Sequence, residues 1–512
     1  MALSKNAIYL LEQRYCRDGE TPEAVFKRTA EFLSKGDIKF EEILYTGMIN
    51  GVFLPNSPAL FNAGLSNPNL HACYILPVND DLSSIFQTLT NMARIFKSGG
   101  GVGINFSKLR EQNSKLSGGG KSSGTISFMG LFDETVDIVK QGGRRRGALM
   151  GILNQNHPEI FNFIKVKLEK KLQNFNLSIM VNDDFMKKVD TNKTINIISP
   201  LGYKVNEVKA KDIFELISFT SWCNGDPALL FYDRINKDNP LYPEVVIDTV
   251  NPCSEVAMPY YSACCLGSIN ISKFVWKNMF NFERFYDACQ TGMRTLTNMN
   301  ELSNYPMPEI KEAMVKYNPV GLGIMGFADC LIKLGIKYDS DECLNFIDEV
   351  GKVYKQSTSD YNNDKSYFYR RIIAPTGSLS ILADCSSGIE PIYDITFERS
   401  LTIGKIEETR DLYKSEFVRT SHQVSPEWHV KVLAKWQEYL DGGCSKTVNM
   451  PNDASVDDIK TVYKLAWKMG CKGVTIYRDG SRDQVLTSTP TTNKFSMQQQ
   501  FTGKCSGEEC TL

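Results

Sequence analysis

Residues 245–270 read VVIDTVNPCSEVAMPYYSACCLGSIN, and the centre of the stretch is Asn251-Pro252-Cys253-Ser254-Glu255. In an extended segment alternate side chains point the same way, about 6.6–7 Å apart. That spacing predicts Asn251, Cys253 and Glu255 on one face, a thiol between an amide and a carboxylate. Eleven residues further on comes a second thiol, Cys264, within CCLGSIN. Such a cluster suits a reactive sulfur flanked by hydrogen-bonding groups. A cysteine buried near a turn fits the same letters, because free cysteine is among the most buried residue types.

Outward from this stretch the pattern alternates helix and strand, the signature of an α/β chain. Residues 1–50 read as helices, with Leu10, Leu11 and Ala24-Val25-Phe26 at helical spacing and Thr21 as a start signal. Residues 71–76, HACYIL, read as a short buried strand carrying Cys73. Leu82, Ile85, Leu89, Met92, Ala93 and Phe96 form an amphipathic helical stripe ending in the glycine run 98–103. Glycines let backbone approach closely, although a plain turn explains the run as well. A second amphipathic helix, 128–139, leads into QGGRRRG, residues 141–147. Arginine forks there match phosphate oxygens, and a solvated basic turn is the other reading. Helices are predicted over 212–219, 280–302 and 456–469, and strands over 226–231, 318–326 and 473–477. The strand 371–374 runs into Pro375-Thr376-Gly377-Ser378-Leu379, whose proline, glycine and hydroxyls suit an anion cradle. From Leu486 the chain is rich in Thr, Ser, Asn and Gln and reads as disordered, yet it ends with Cys505 and Cys510. Two cysteines on a mobile tail suggest a travelling dithiol; metal binding or an incidental pair are the alternatives.

Bulk composition excludes several classes. The 512 residues carry 58 basic and 59 acidic side chains, net charge −1, so no polybasic surface for nucleic acid or membrane is expected. No apolar run reaches the roughly 18–20 residues of a membrane span, and the N-terminus has no signal-peptide core, which points to the cytoplasm. The 14 cysteines include no CxxC pair and the four histidines no metal-ligand spacing, so no protein-ligated metal is expected.

Taken together the motifs resemble the catalytic chain of ribonucleotide reductases, most closely the adenosylcobalamin-dependent (class II) type. The resemblance is carried by NSPALFNAG at 56–64, GGGVGINFSKLR at 99–110 and SFMGLFDETVDIVKQGGRRRGALMG at 127–151. It continues through NPCSE at 251–255, CCLGSINIS at 264–272, VGLGIMGFAD at 320–329 and APTGSLSILADCSSGIEPIY at 374–393. NMPNDAS at 449–455 and LAWKMGCKGVTIYRDGSRDQVL at 465–486 complete it. It implies an N-terminal helical region (1–55), a ten-stranded α/β barrel of two parallel five-stranded halves with a central finger loop (56–485), and a flexible tail (486–512).

It also implies radical reduction of ribonucleoside di- or triphosphates to 2′-deoxyribonucleotides. Cys253 aligns with the thiyl-radical cysteine that takes the 3′-hydrogen. Asn251 and Glu255 align with residues that hydrogen-bond the ribose hydroxyls, Glu255 also as general base. Cys73 and Cys264 align with the pair that becomes a disulfide, and Cys505 and Cys510 with the tail pair that re-reduces it, served by thioredoxin or a glutaredoxin-like reductant. Cys265 stands where an asparagine is usual and reads as packing. Ser57, Ala72 and Pro375, Thr376, Gly377, Ser378 and Leu379 align with substrate contacts. Asp80 aligns with a ribose contact of a deoxynucleotide or ATP specificity effector, and Arg145 with the loop that relays effector identity, at helices that meet their mates in a homodimer. With 55 residues ahead of Asn56, the cone that gives dATP shut-off in relatives is not expected. The radical should be shielded from water until substrate binds.

Catalytic chains that need a separate metal-containing radical subunit carry two adjacent tyrosines in the segment matching 475–479. Here Tyr477 is followed by Arg478, which favours cobalamin. A radical-free thiol–disulfide oxidoreductase would leave the phosphate turns unexplained. A nucleotide-binding regulatory protein would leave the cysteines unexplained.

Overall fold

The computed structural model of the protein describes residues 3–139, 148–401, 403–481 and 486–488. The first helices are set by their caps: Ser4, Thr21 and Asp37 each accept a backbone N–H at the starts of Lys5–Leu10, Pro22–Ser34 and Ile38–Ile49. Their buried faces, including Leu10, Val25, Phe26, Leu33, Phe40 and Leu44, close a core with Phe285, Met293 and Leu296 of the long helix Phe282–Leu302.

The larger sheet, counted among the described residues, has seven strands. Cys73–Leu76, Gly101–Asn105, Leu149–Asn154, Phe175–Val181 and Ala228–Phe231 run parallel, side by side. They are almost wholly buried, as strands covered on both faces must be. Gly473–Arg478 joins Ala228–Phe231 antiparallel, and Thr447–Met450 lies parallel to Gly473–Arg478. A second sheet holds Leu266–Asn270 between Phe53–Pro55, antiparallel, and Gly321–Met325, parallel. The α/β class and the N-terminal helical region agree with the sequence reading. Continuous pairing around a ten-stranded ring is not what the backbone records. Instead single bridges join the sheets: Tyr74↔Ala263 antiparallel, Leu322↔Arg371 parallel and Ile373↔Cys444 parallel. The 371–374 segment, expected as a strand, enters through these bridges alone.

Leu486–Ser488, expected to open a loose tail, pairs antiparallel with Phe397–Arg399 of the hairpin Thr396–Leu401/Gly404–Thr409. Among the described residues no helix is long and apolar enough to cross a membrane.

Candidate active site

The NPCSE stretch is a hairpin tip threaded between strands. Val250 bridges Ala257, Asn251 N–H donates to Val256 O (3.0 Å), and Val256 N–H donates to Asn251 Oδ1 (2.9 Å). The tip turns at Ser254, whose φ is 69°. The expected extended alternation is therefore replaced by a tight turn, because Pro252 and the left-handed Ser254 break strand geometry. Two asparagine side chains anchor the loop: Asn105 Nδ2 donates to Asp248 O (2.6 Å) and Asn176 Nδ2 to Pro252 O (2.9 Å). From the other side Gly443 N–H donates to Glu255 O (2.7 Å).

Close approach explains two glycines. A Cβ on Gly103 would lie 1.9 Å from Val250 O, and one on Gly443 2.7 Å from Glu255 O. Neither contact is possible for a real side chain, so only glycine leaves room for the loop. Gly103→Ala is expected to push the hairpin aside and lower turnover at least about a hundredfold, since a displacement near 1 Å costs that much. Steady-state assay beside a calorimetric unfolding trace checks this; unchanged turnover would show that the loop position does not matter.

Asn251 is fully buried and Glu255 is 2% exposed, yet Asn251 Nδ2 and Glu255 Oε2 make no hydrogen bond of ordinary geometry, although the amide sits near enough to favour the charged carboxylate. Buried polar atoms are rarely left so. One donor and one acceptor, unsatisfied at the same turn, suit a ligand with hydroxyls. Burial, with the neighbouring Cys73 thiol adding to it, pushes the Glu255 carboxyl up to about 8 against the opposing effect of backbone and Asn251. The neutral form therefore stabilises the fold fully below pH 4.5, and that contribution is lost as pH rises through about 8. Unfolding titrations should show stability falling over that window by up to about 1.4 kcal/mol per pH unit from this group. Glu255→Gln should remove that slope, and an unchanged slope would assign it elsewhere.

Cys253 is exposed at the loop tip. The expected shielding is not met: the turn buries Asn251 and Glu255 but leaves Cys253 exposed, while still near enough to act on the Cys264 thiol. Cys73 and Cys264 are both buried. The Tyr74↔Ala263 bridge sets them opposite each other, with Cys264 N–H donating to Cys73 O (2.8 Å). Their thiols are hydrogen-bonded. Burial first, then Cys73, Glu255 and Cys253, raises the proton affinity of the Cys264 thiol. Two cysteines 191 positions apart in sequence thus share a site with the NPCSE loop. Cys265 turns away and donates to Leu296 O (3.2 Å) in the N-terminal core.

Ala72, Cys73, Cys264, Val250 and Val256 pack in one apolar cluster, against which Ala374 also rests. The segment after Ala374 carries Pro375, exposed, and Thr376, buried in the left-handed conformation at φ 57°. Thr376 Oγ1 accepts from Gly388 N–H (2.7 Å). Gly377 and Ser378 are half-buried, and Leu379 packs into the N-terminal core. Ser57 Oγ lies 2.8 Å from the Tyr15 hydroxyl, and Ala72 O accepts from Gly101 N–H (2.7 Å). Asp80 is engaged by Arg110, whose N–H and Nε–H donate to its two oxygens at 3.0 and 2.6 Å. Arg145, Cys505 and Cys510 lie outside the described residues.

Sequence reasoning missed the residues that hold the loop: Gly103, Gly443, Asn105 and Asn176. The glycine run at 98–103 was the visible signal; that it faces the NPCSE loop needed the fold. It also missed Cys444, whose proton affinity, raised mainly by burial, also feels Glu255.

The family model described as the ribonucleotide reductase barrel domain matches residues 71–359 and 405–477, and the one described as the ribonucleotide reductase all-alpha domain matches residues 1–68. The chain belongs to the ribonucleotide reductase family. It is 38% identical to a vitamin B12-dependent ribonucleoside-diphosphate reductase of Thermoplasma acidophilum, over 93% of this chain and 70% of that protein. It is 32% identical to one from Mycobacterium tuberculosis, over 100% of this chain and 84% of that protein. A vitamin B12-dependent ribonucleotide reductase of Streptomyces avermitilis is 28% identical, over 88% of this chain and 61% of that protein. Within this ribonucleotide reductase the all-alpha match ends at residue 68, past the helices and the Phe53–Pro55 strand.

Proposed function

We propose that this chain is the catalytic chain of an adenosylcobalamin-dependent ribonucleotide reductase, acting on ribonucleotides to give 2′-deoxyribonucleotides. The observation that carries the reading is the meeting of Cys73 and Cys264 beside a loop whose Asn251 and Glu255 present unsatisfied buried polar atoms. The two sheets are read as one barrel. Strands 73–76, 101–105, 149–154, 175–181 and 228–231 form one parallel half; 266–270, 321–325, 371–373, 444–450 and 473–478 form the other. The antiparallel contacts 228–231/473–478 and 74/263 support two opposed halves. Domain limits of 1–55, 56–485 and 486–512 go with this reading.

The chemistry follows from the residues. Asn251 Nδ2 donates to, and Glu255 Oε2 accepts from, the ribose hydroxyls, and Glu255 is the general base through its ionised fraction, which a carboxyl pushed up to about 8 gains as pH rises through neutrality. A thiyl radical at Cys253 takes the 3′-hydrogen and later returns it. Cys73 and Cys264 together give two electrons and two hydrogens: the 2′-hydroxyl leaves as water, C2′ gains hydrogen and the sulfurs join. Burial keeps the Cys264 thiol protonated until it is needed. Cys505 and Cys510 then exchange with that disulfide, and thioredoxin or a glutaredoxin-like protein re-reduces the tail. Ser57, Ala72 and residues 375–379 hold the substrate, the last around its phosphates.

Cys253 is the residue at which adenosylcobalamin, when bound, would supply radical chemistry. Cys253 is exposed at the tip, so a group bound outside the loop would reach its thiol. The relatives' names and Arg478 support this source. Arg478 Nε donates to Trp222 O (3.0 Å), its Nη1 to Asn452 O (2.9 Å), and its guanidinium lies 4.2 Å from the Trp222 ring centroid. A cation fastened there leaves no second tyrosine for a relay.

The specificity effector is assigned to Asp80 and Arg145, at a homodimer formed through Leu82–Lys97 and Thr125–Ile138. Exposed Leu82, Phe86, Leu131 and Ile138 on these helices support a second copy there. The test of the radical source is reduction by purified chain and dithiol, with and without adenosylcobalamin. Product is expected only with it. Product only after adding a metal-loaded second subunit would assign the other radical source.

A further inference from the structure

We propose that Arg14, on the N-terminal helical segment, binds the terminal phosphate of the substrate across the 375–379 cradle. The inference rests on reading those residues as the phosphate cradle. Arg14 stands on the single turn Leu11–Tyr15. Its Nη1 donates to Ser378 Oγ at 3.2 Å. Its Nε is buried with no hydrogen-bond partner, and among the described residues no carboxylate pairs with it. A guanidinium left with a buried donor unmet and its charge uncompensated is an unusual and costly arrangement.

Neighbouring groups set the same pattern. The next residue, Tyr15, reaches Ser57 Oγ at 2.8 Å, so one turn touches both hydroxyls assigned to substrate. Tyr15 stacks on Phe61 at 4.4 Å, and the Arg14 guanidinium lies 5.9 Å from the same ring, which fixes the turn over the site. Asn56, 6% exposed and one residue before Ser57, has an Nδ2 that is also buried without a partner. The other guanidinium at the cradle, Arg399, lies 3.4 Å from Gly377 O but is ion-paired with Glu408 at 2.6 Å. Its charge is already spoken for. Two unmet donors, one of them on the guanidinium fork of Arg14, complement phosphate oxygens, which only accept. The all-alpha segment is therefore part of the substrate site as well as a cap on the barrel.

The test uses the full chain. Calorimetric binding of a ribonucleoside diphosphate and inhibition by inorganic pyrophosphate are measured for wild type, Arg14→Gln, Arg14→Lys and Ser378→Asp, with steady-state kinetics alongside. Arg14→Gln should weaken diphosphate binding and raise KM about ten- to hundredfold, the loss expected of a charged hydrogen bond, while kcat changes less than about threefold. Pyrophosphate inhibition should weaken in step, and affinity for the unphosphorylated ribonucleoside should stay. Arg14→Lys should recover part of the loss; it keeps the charge, so it also serves if the Gln variant unfolds in circular dichroism. Ser378→Asp sets a like charge against phosphate and should weaken binding whatever Arg14 does. If Ser378→Asp weakens binding but neither Arg14 variant does, Arg14 is not the phosphate ligand and the cradle stands. If Ser378→Asp has no effect either, the cradle assignment fails and this inference with it.

Discussion

Replacing Cys253 by serine is expected to abolish deoxyribonucleotide formation, by at least about 10⁴-fold, the scale seen when the atom that forms the reactive bond is removed. Serine keeps the size and a hydrogen-bonding hydroxyl, and Cys253 sits at an exposed tip. The loop's anchors at Asn105, Asn176 and Gly443 do not involve its side chain. The fold and nucleotide affinity should therefore be unchanged. The oxygen–hydrogen bond is too strong to yield its hydrogen where the sulfur–hydrogen bond yields. A serine variant with more than about a hundredth of wild-type turnover would show that no radical is needed at this position.

The second large effect is at the opposed sulfurs. Changing either Cys73 or Cys264 to serine is expected to lower steady-state turnover about 10³-fold or more. The two act as a unit, so the double variant should be little worse than either single one. Thiol counting after turnover without reductant should find up to four fewer thiols in the wild type, two from Cys73 and Cys264 and two from the tail pair that re-reduces them, and no loss in the variants. Retained turnover with an external dithiol would remove the pair from the reaction.

Much of this was legible in the letters. Helical periodicity located Leu82–Lys97, Thr125–Ile138 and Phe282–Leu302, because apolar stripes on surface helices repeat strongly. Short apolar runs located Cys73–Leu76, Ala228–Phe231, Gly321–Met325 and Gly473–Arg478, but Leu149–Asn154, Phe175–Val181 and Leu266–Asn270 were not read as strands. The local chemistry of NPCSE was visible, but not its conformation: the alternation rule assumed a strand, and the left-handed Ser254 makes a turn. The opposition of Cys73 and Cys264 depends on strand order, which no local pattern encodes. The glycine run at 98–103 read as a loop, yet Gly101–Asn105 is a strand whose missing side chains make room for the hairpin. The role of Arg14 was invisible for the same reason, since it lies 364 positions from Ser378.

The pairing of Tyr74 with Ala263 has a mechanical corollary. The two sulfurs face each other at the seam where one sheet meets the other. Each catalytic round would staple that seam shut, and each arrival of reductant would unpick it. The spent form of the molecule is then its sturdier form, and the working form the looser one.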